Sequence, residues 1–546
     1  MTVRELAETI AVAVILFLLL GIEAEGFVIP TGSMDPLLMG RHKEVACPEC
    51  GKIYQINASG ETEREDLPPE SRIVKVGTCG NCRCPATVDN APSYRGDRIF
   101  ATKVPYELSF LPGAGPPKRW DSVVFKFPQN TDVRYIKRMI GLPNERIRIA
   151  HGDLFACQAD GSEPFRILRK PASHLSAMQV EVWDDSCRPQ SLKDDPRWKR
   201  WGGRGWTEPE PGVFLAEAAE GEPVTLTYRH LVPDPDQWQA IIAKRDLFSP
   251  PRPTLITDFD AFNTDAALDD LRSYQSAEKA WMLQHWVGDL ALSATVETSS
   301  VAPNGQLRLI LTEAGVDHEC RVNLKTGEAV MVFNGRILGE PAATELHQAG
   351  KHAVTFSNID DRLTLEVDGQ HPFGDGREFE SKLHVPTERD LRPARIRLEN
   401  GTAAITGLVL KRDLYYSKAP AEVDYPSLKE SPIYSVSAMM DLLSSPRQFW
   451  RFNDQEPREW TLSSNAYLML GDNSLWSSDS RAWRDVGPVD DSAPPRKPWE
   501  VPQSLIIGKA FCVYWPHGKP IWPDIAVNRD VRLPFRPYFE RMKWIR

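Results

Sequence analysis

Across the middle of the chain, short runs place an apolar residue at every second position. Leu307, Leu309 and Leu311 alternate with Arg308, and Leu363, Leu365 and Val367 alternate with Arg362, Thr364 and Glu366. Ile396 and Leu398 alternate with Arg395 and Arg397. A two-residue period marks a strand with one face buried and one face wet. Turn dipeptides divide the runs: Asn304-Gly305, Thr326-Gly327, Asn334-Gly335, Asp368-Gly369 and Asn400-Gly401. Strands spaced in this way predict a β-sandwich over residues 205–415, and the run from His352 to Gly369 resembles strands of jelly rolls. Alternation also occurs at Arg98–Ala101 and Val123–Phe127, whereas residues 158–204 are irregular and rich in Trp, Pro and Asp.

The amino terminus has a different pattern. Thr9 to Ile22 is apolar and free of charge. A membrane-spanning helix needs about 20 such residues, so the run is long enough only if it continues toward residue 29. Residues 1–29 are therefore predicted to be a membrane anchor. A cleaved leader would carry more basic residues than the single Arg4, and a buried core helix is the remaining reading.

With 546 residues the chain is too long for one core, and three or more domains are expected. Its 45 prolines and 35 glycines agree with a turn-rich, mainly β protein. The net charge of −10, with no basic stripe, argues against nucleic acid as a partner.

Five of the nine cysteines fall between residues 47 and 90. Cys47 and Cys50 form one Cys-x-x-Cys pair, and Cys79 and Cys82 form a second after 28 intervening residues. That spacing suits a tetrahedral zinc ion, which makes 47–90 a zinc-ribbon-like insert. Two disulfides are the alternative, although Cys84 leaves an odd count.

Two further residues carry candidate chemistry. Ser33 lies in Ile29-Pro30-Thr31-Gly32-Ser33-Met34-Asp35-Pro36, a few residues after the apolar run. Lys137 lies in Tyr135-Ile136-Lys137-Arg138-Met139-Ile140, where a strand would put Tyr135, Lys137 and Met139 on one face and Arg138 on the other. A serine hydroxyl needs a base, and a lysine can be one when burial keeps its amine neutral. None of the eleven histidines lies in a comparable motif. Taken alone, Ser33 reads as a turn serine and Lys137 as a solvated strand lysine.

These stretches, with Gly471-Asp472-Asn473 and Ser477, Asp479, Ser480 and Arg481 downstream, resemble the boxes of bacterial type I signal peptidases. The resemblance covers residues 9–46, 92–155 and 463–516. It implies a β-rich catalytic domain built from 30–46, 91–157 and 430–546, with Ser33 as nucleophile and Lys137 as general base. It also implies that Thr31, where the family has serine, helps the Ser33 N–H hold an oxyanion. Ser477 would orient the lysine, and Asp479 and Arg481 would stiffen its surroundings. Ile29, Pro30, Met34, Leu38, Tyr135 and Ile136 match the apolar lining for Ala-x-Ala sites, although core packing alone would also explain most of them. The sequence departs from the family at Ser474, Leu475 and Trp476, and at Trp120, where glycine is typical.

The implied partners are signal peptides of exported preproteins and membrane lipid, with the catalytic domain on the outer face of a bacterial inner membrane. No cofactor is expected for catalysis, and a structural zinc is expected in the insert. The competing class is a membrane-anchored carbohydrate- or protein-binding protein on an inert peptidase scaffold, with the sandwich as the binding module. A Ser-Lys enzyme that cleaves itself fits less well, because no DNA-binding motif accompanies the anchor.

Overall fold

The computed structural model describes residues 24–63, 72–107, 115–247, 250–265, 280–421, 435–453, 456–486, 496–520 and 535–545. The apolar run Thr9–Ile22 lies outside them. No helix among the described residues is long and apolar enough to cross a membrane. Ala24–Val28 is a β-strand, paired antiparallel with Arg98–Thr102, so the expected anchor cannot continue to residue 29 as a helix. Glu23 and Glu25 fall where the hydropathy drops, and Glu25 is already in the sheet, opposite Ala101.

The protein is mainly β. One eight-stranded sheet runs Ala24–Val28, Arg98–Thr102, Ile506–Trp515, Ser122–Phe127, Asn130–Gly141, Ala466–Leu470 and Val501–Pro502, with Lys543–Trp544 added beside Ile506–Trp515. It therefore joins segments far apart in the chain. Lys137 is opposite Val123, and Met139 is opposite Met469. A four-stranded sheet (Arg166–Ile167, Asp153–Gln158, Glu145–Ala150, Arg458–Thr461) packs its buried Ile147, Ile149 and Leu154 with Trp460 and Leu468.

The alternating runs form the thirteen-stranded sheet of the middle region. Leu290–Glu313 pairs with Ala394–Asp413, from Leu290 opposite Arg412 to Leu311 opposite Ala394. The apolar members of each run, Leu307, Leu309, Leu311, Leu363, Leu365, Ile396 and Leu398, lie in one core with Phe356 and Trp201. Each such side chain contributes roughly 1.5–3 kcal/mol on burial.

This sheet starts earlier than residue 205. Gln179–Asp184 pairs with the end of Ala394–Asp413, and Trp201–Gly202 pairs with Val224–Tyr228. A bulge between Glu181 and Trp183 breaks the two-residue period, which hides the first strand from the sequence pattern. The cysteine-rich lobe is likewise wider than 47–90. Its three-stranded sheet uses His42–Ala46, Ile53–Asn57 and Ser93–Tyr94.

Candidate active site

The turn bearing Ser33 follows directly from the strand Ala24–Val28. The Ile29 N–H donates to the Asp97 carbonyl and the Arg41 N–H to the Pro30 carbonyl, which pins both ends of the loop. Met34, Leu37 and Leu38 anchor it from below, fully buried with Ile99, Val124 and Val513. Met34 and Leu38 thus belong to the core under the cleft. Of the expected lining residues, Ile29, Pro30, Tyr135 and Ile136 do face the cavity, together with Thr31.

Lys137 reaches Ser33 from the neighbouring strand, with Nζ 2.5 Å from Oγ. The lysine is 4% exposed. Burial pulls its amine down to about 8; the Asp479 carboxylate opposes this, and the Arg481 guanidinium assists it. A depressed lysine next to a serine hydroxyl can accept that hydroxyl's proton near neutral pH. The Tyr135 ring lies 5.5 Å from Nζ and stacks on Phe127, forming part of the apolar surroundings of the amine.

Arg138 points to the other side of the strand. It is fully buried and donates through Nε and Nη2 to the two Asp472 oxygens at 2.7 and 2.6 Å. Its Nη1 donates to the Trp120 carbonyl. Trp120 has φ of 74°, a region that favours glycine, which accounts for glycine being the expected residue there.

The downstream segment closes the site. Asp479 and Arg481 form a two-point ion pair with no exposed side-chain surface. Asp479 also accepts the Gly471 N–H, and Arg481 donates to the Ser474 hydroxyl and to the Ser417 carbonyl. The serine found at 474 is therefore a ligand of Arg481.

Ser477 is fully buried, but its hydroxyl has no hydrogen-bond partner among the described residues, so the expected bond to Lys137 is not formed. It sits against Gly471, where an added Cβ would lie 2.1 Å from Ser477 Oγ and 2.4 Å from the Ser33 carbonyl oxygen.

Neither Asn473 by itself nor the residues around 262 were expected in the site; the latter belong to the 205–415 segment, an insertion between the stretches that resemble the peptidase boxes. The Asn473 N–H donates to the Ser33 carbonyl at 3.2 Å, and its Nδ2 donates to the Gly32 carbonyl at 3.1 Å. The cavity around Ser33 has a volume of about 620 Å³, and its far wall includes Asn57, Phe262, Asn263 and Asp265. Asn473 was legible as part of Gly471-Asp472-Asn473, but nothing in the local sequence signals the insertion residues.

At the cysteine lobe, the sulfurs of Cys47, Cys50, Cys79 and Cys82 lie within 4.8 Å of one another. Cys47 and Cys82 are 3.5 Å apart, and Cys50 and Cys79 are 3.7 Å apart. All four are free thiols, so no disulfide links them. Four thiolates around a metal at about 2.3 Å would be about 3.8 Å apart, so the donor set fits a tetrahedral ion. Each Cys-x-x-Cys is followed by a left-handed residue, Gly51 or Arg83, whose N–H closes the turn onto the first cysteine's carbonyl. Cys84 stays outside this cluster, its thiol directed to the Pro85 carbonyl.

Residues 81–184 match the family described as signal peptidase, peptidase S26. That span contains Lys137 but neither Ser33 nor the 471–481 segment. Signal peptidase I of Pseudomonas aeruginosa is 35% identical over 79 residues, covering 13% of this chain and 25% of the relative. Signal peptidase I of Rickettsia akari is 42% identical over 67 residues, covering 10% and 25%. The chain thus spans about a quarter of the length of these relatives. Among solved structures, a carbohydrate binding module from Bacillus subtilis covers 39% of this chain and 96% of its own, at 8% identity and a TM-score of 0.23. A likeness that slight bears on neither fold nor ligand.

Proposed function

We propose that this chain, whose residues 81–184 match the signal peptidase family (peptidase S26), is a membrane-anchored endopeptidase removing signal peptides from exported preproteins. The observation that carries this reading is the approach of Lys137 Nζ to Ser33 Oγ, with the lysine side chain almost fully buried.

In the proposed reaction, the neutral Lys137 amine takes the Ser33 hydroxyl proton as Oγ attacks the scissile carbonyl. The Ser33 N–H and the Thr31 hydroxyl hold the resulting oxyanion. Lys137, now an ammonium, protonates the departing amine, which leaves an acyl ester on Ser33. A water molecule deprotonated by Lys137 then hydrolyses the ester. Ile29, Pro30, Tyr135 and Ile136 receive small side chains of an Ala-x-Ala site. The anchor upstream of Ala24 would hold the cleft at the outer face of a bacterial inner membrane, where such substrates emerge. Zinc held by Cys47, Cys50, Cys79 and Cys82 would be structural, cross-linking two turns of the lobe and supplying no chemistry to the cleft.

Purified enzyme and Ser33→Ala, incubated with a preprotein bearing an Ala-x-Ala site, test the reading. Cleavage at that site by the wild type alone is expected. Equal processing by both, or by neither, would reject it.

A further inference from the structure

The segment 259–265 lies within the insertion, over 220 residues from Ser33 in sequence, yet it touches the nucleophile's turn. The Phe262 ring lies against Gly32, where an added Cβ would be 2.0 Å from the ring. Asn263 and Asn473 exchange two amide hydrogen bonds: Asn473 Nδ2 to Asn263 Oδ1 at 2.8 Å, and Asn263 Nδ2 to Asn473 Oδ1 at 3.0 Å. Both residues are at most 9% exposed. The same Asn473 Nδ2 donates to the Gly32 carbonyl, and its backbone N–H donates to the Ser33 carbonyl.

An asparagine amide has freely rotatable χ angles. Its orientation is fixed only when its oxygen and nitrogen both have partners. Asn263 supplies both partners to the Asn473 amide, and so fixes the Nδ2 donor that holds the Gly32 carbonyl and ties down the residue whose backbone N–H holds Ser33.

The segment is itself held from three sides. The Asp260 carboxylate caps the turn Ala261–Asn263 by accepting the Phe262 N–H. The Thr264 hydroxyl accepts the Thr78 N–H at 2.8 Å, immediately before the second cysteine pair. The Arg83 guanidinium covers the Phe259 ring at 3.6 Å. The cysteine lobe thus clamps the segment that braces Asn473.

We infer that Asn263 is a positioning residue for Ser33, acting through Asn473, so that the insertion is a working part of the active site. Phe262 supports the same turn by packing on Gly32. This inference rests on the peptidase reading above, since what is positioned is the proposed nucleophile.

The test compares wild type, Ser33→Ala, Asn263→Ala, Asn473→Ala and the double Asn variant on one Ala-x-Ala preprotein. Kinetics, thermal melting and amide exchange at 30–40 and 471–475 are measured for each. Displacements of about 1 Å at a reacting centre can cost on the order of 100-fold. Asn263→Ala is therefore expected to lower kcat about 10–100-fold, leave KM within about threefold, and keep the pH midpoint of the wild type. The double variant is expected to be no slower than the worse single, because both act through one contact. Faster amide exchange at Ser33 and Asn473 is expected even if activity is too low to measure.

Unchanged kcat in Asn263→Ala, strictly additive losses in the double variant, or unchanged exchange would each overturn the inference. Phe262→Leu, which keeps an apolar side chain there, serves if Asn263→Ala does not fold. A kcat loss without a KM change supports the inference, and full activity overturns it. A wild type with no Ser33-dependent cleavage would instead defeat the peptidase reading, whatever the exchange data show.

Discussion

Arg138 and Asp472 form a fully buried two-point ion pair, with Nε–Oδ1 at 2.7 Å and Nη2–Oδ2 at 2.6 Å. The pair sits between Lys137, the proposed base, and Asn473, which holds the turn of Ser33, because Lys137 precedes Arg138 and Asn473 follows Asp472. This buried ion pair thus fixes the strand of Lys137 against the turn of Asn473.

Removing one partner of such a pair leaves an uncompensated buried charge. Asp472→Ala is expected to destabilise by about 3–5 kcal/mol, measured by denaturant melting. Arg138→Met with Asp472→Leu is expected to recover much of that loss, since an apolar pair of similar volume needs no desolvation of charge. A double variant as unstable as the single would contradict this.

Gly471 has no room for a side chain. An alanine Cβ would meet the Ser33 carbonyl at 2.4 Å, and backbone cannot swing away as a side chain can. Gly471→Ala is expected to lower kcat on the order of 100-fold by displacing the nucleophile's turn. Ser477→Ala should behave differently: its hydroxyl is buried with no partner among the described residues, so the melting temperature should hold or rise. Its activity should exceed that of Lys137→Ala by a wide margin.

The four-cysteine cluster is expected to bind one zinc ion per chain, measured by elemental analysis of protein purified without added metal. Chelation should expose four thiols to alkylation and lower turnover, because the lobe clamps residues 259–264. Disulfide-linked peptides from Cys47, Cys50, Cys79 or Cys82 in the native protein would contradict it.

Burial of Lys137 has a pH signature in stability as well as in rate. Its folded value, about 8, lies below the ordinary 10.5, so the unfolded chain holds the proton more tightly. The cost of keeping the ammonium buried is complete below pH 8 and is relieved as pH rises toward 10.5. Lys137→Met is therefore expected to gain stability over wild type at pH 7 and to lose that advantage by pH 10.5. The difference should be roughly 3 kcal/mol, read from melts at the two pH values.

Much of the fold could be read from the chain, because one-sided strands leave a two-residue period. Leu307, Leu363 and Ile396 all entered the core as that period requires. The strand Gln179–Asp184 could not be read, since a bulge at Glu181–Trp183 shifts its period. In the site, Ser33 and Lys137 were legible because local motif and strand facing coincide there. Met34 and Leu38 were read as lining but are core, because an apolar residue beside a cleft looks the same in sequence as one beneath it. Asn263 and Phe262 left no local signal. Their role comes from a contact across more than two hundred residues, which only the folded chain reveals.

The proposed role of Lys137 as base is tested most directly by the pH dependence of kcat/KM on an Ala-x-Ala preprotein. Burial places the amine at about 8, and only its neutral form can take the Ser33 proton. The rate should rise tenfold per pH unit below that value and level off above it. Lys137→Arg should be inactive throughout, because a guanidinium keeps its proton. A flat profile, a midpoint near the histidine value of about 6.5, or substantial activity in Lys137→Arg would contradict the account.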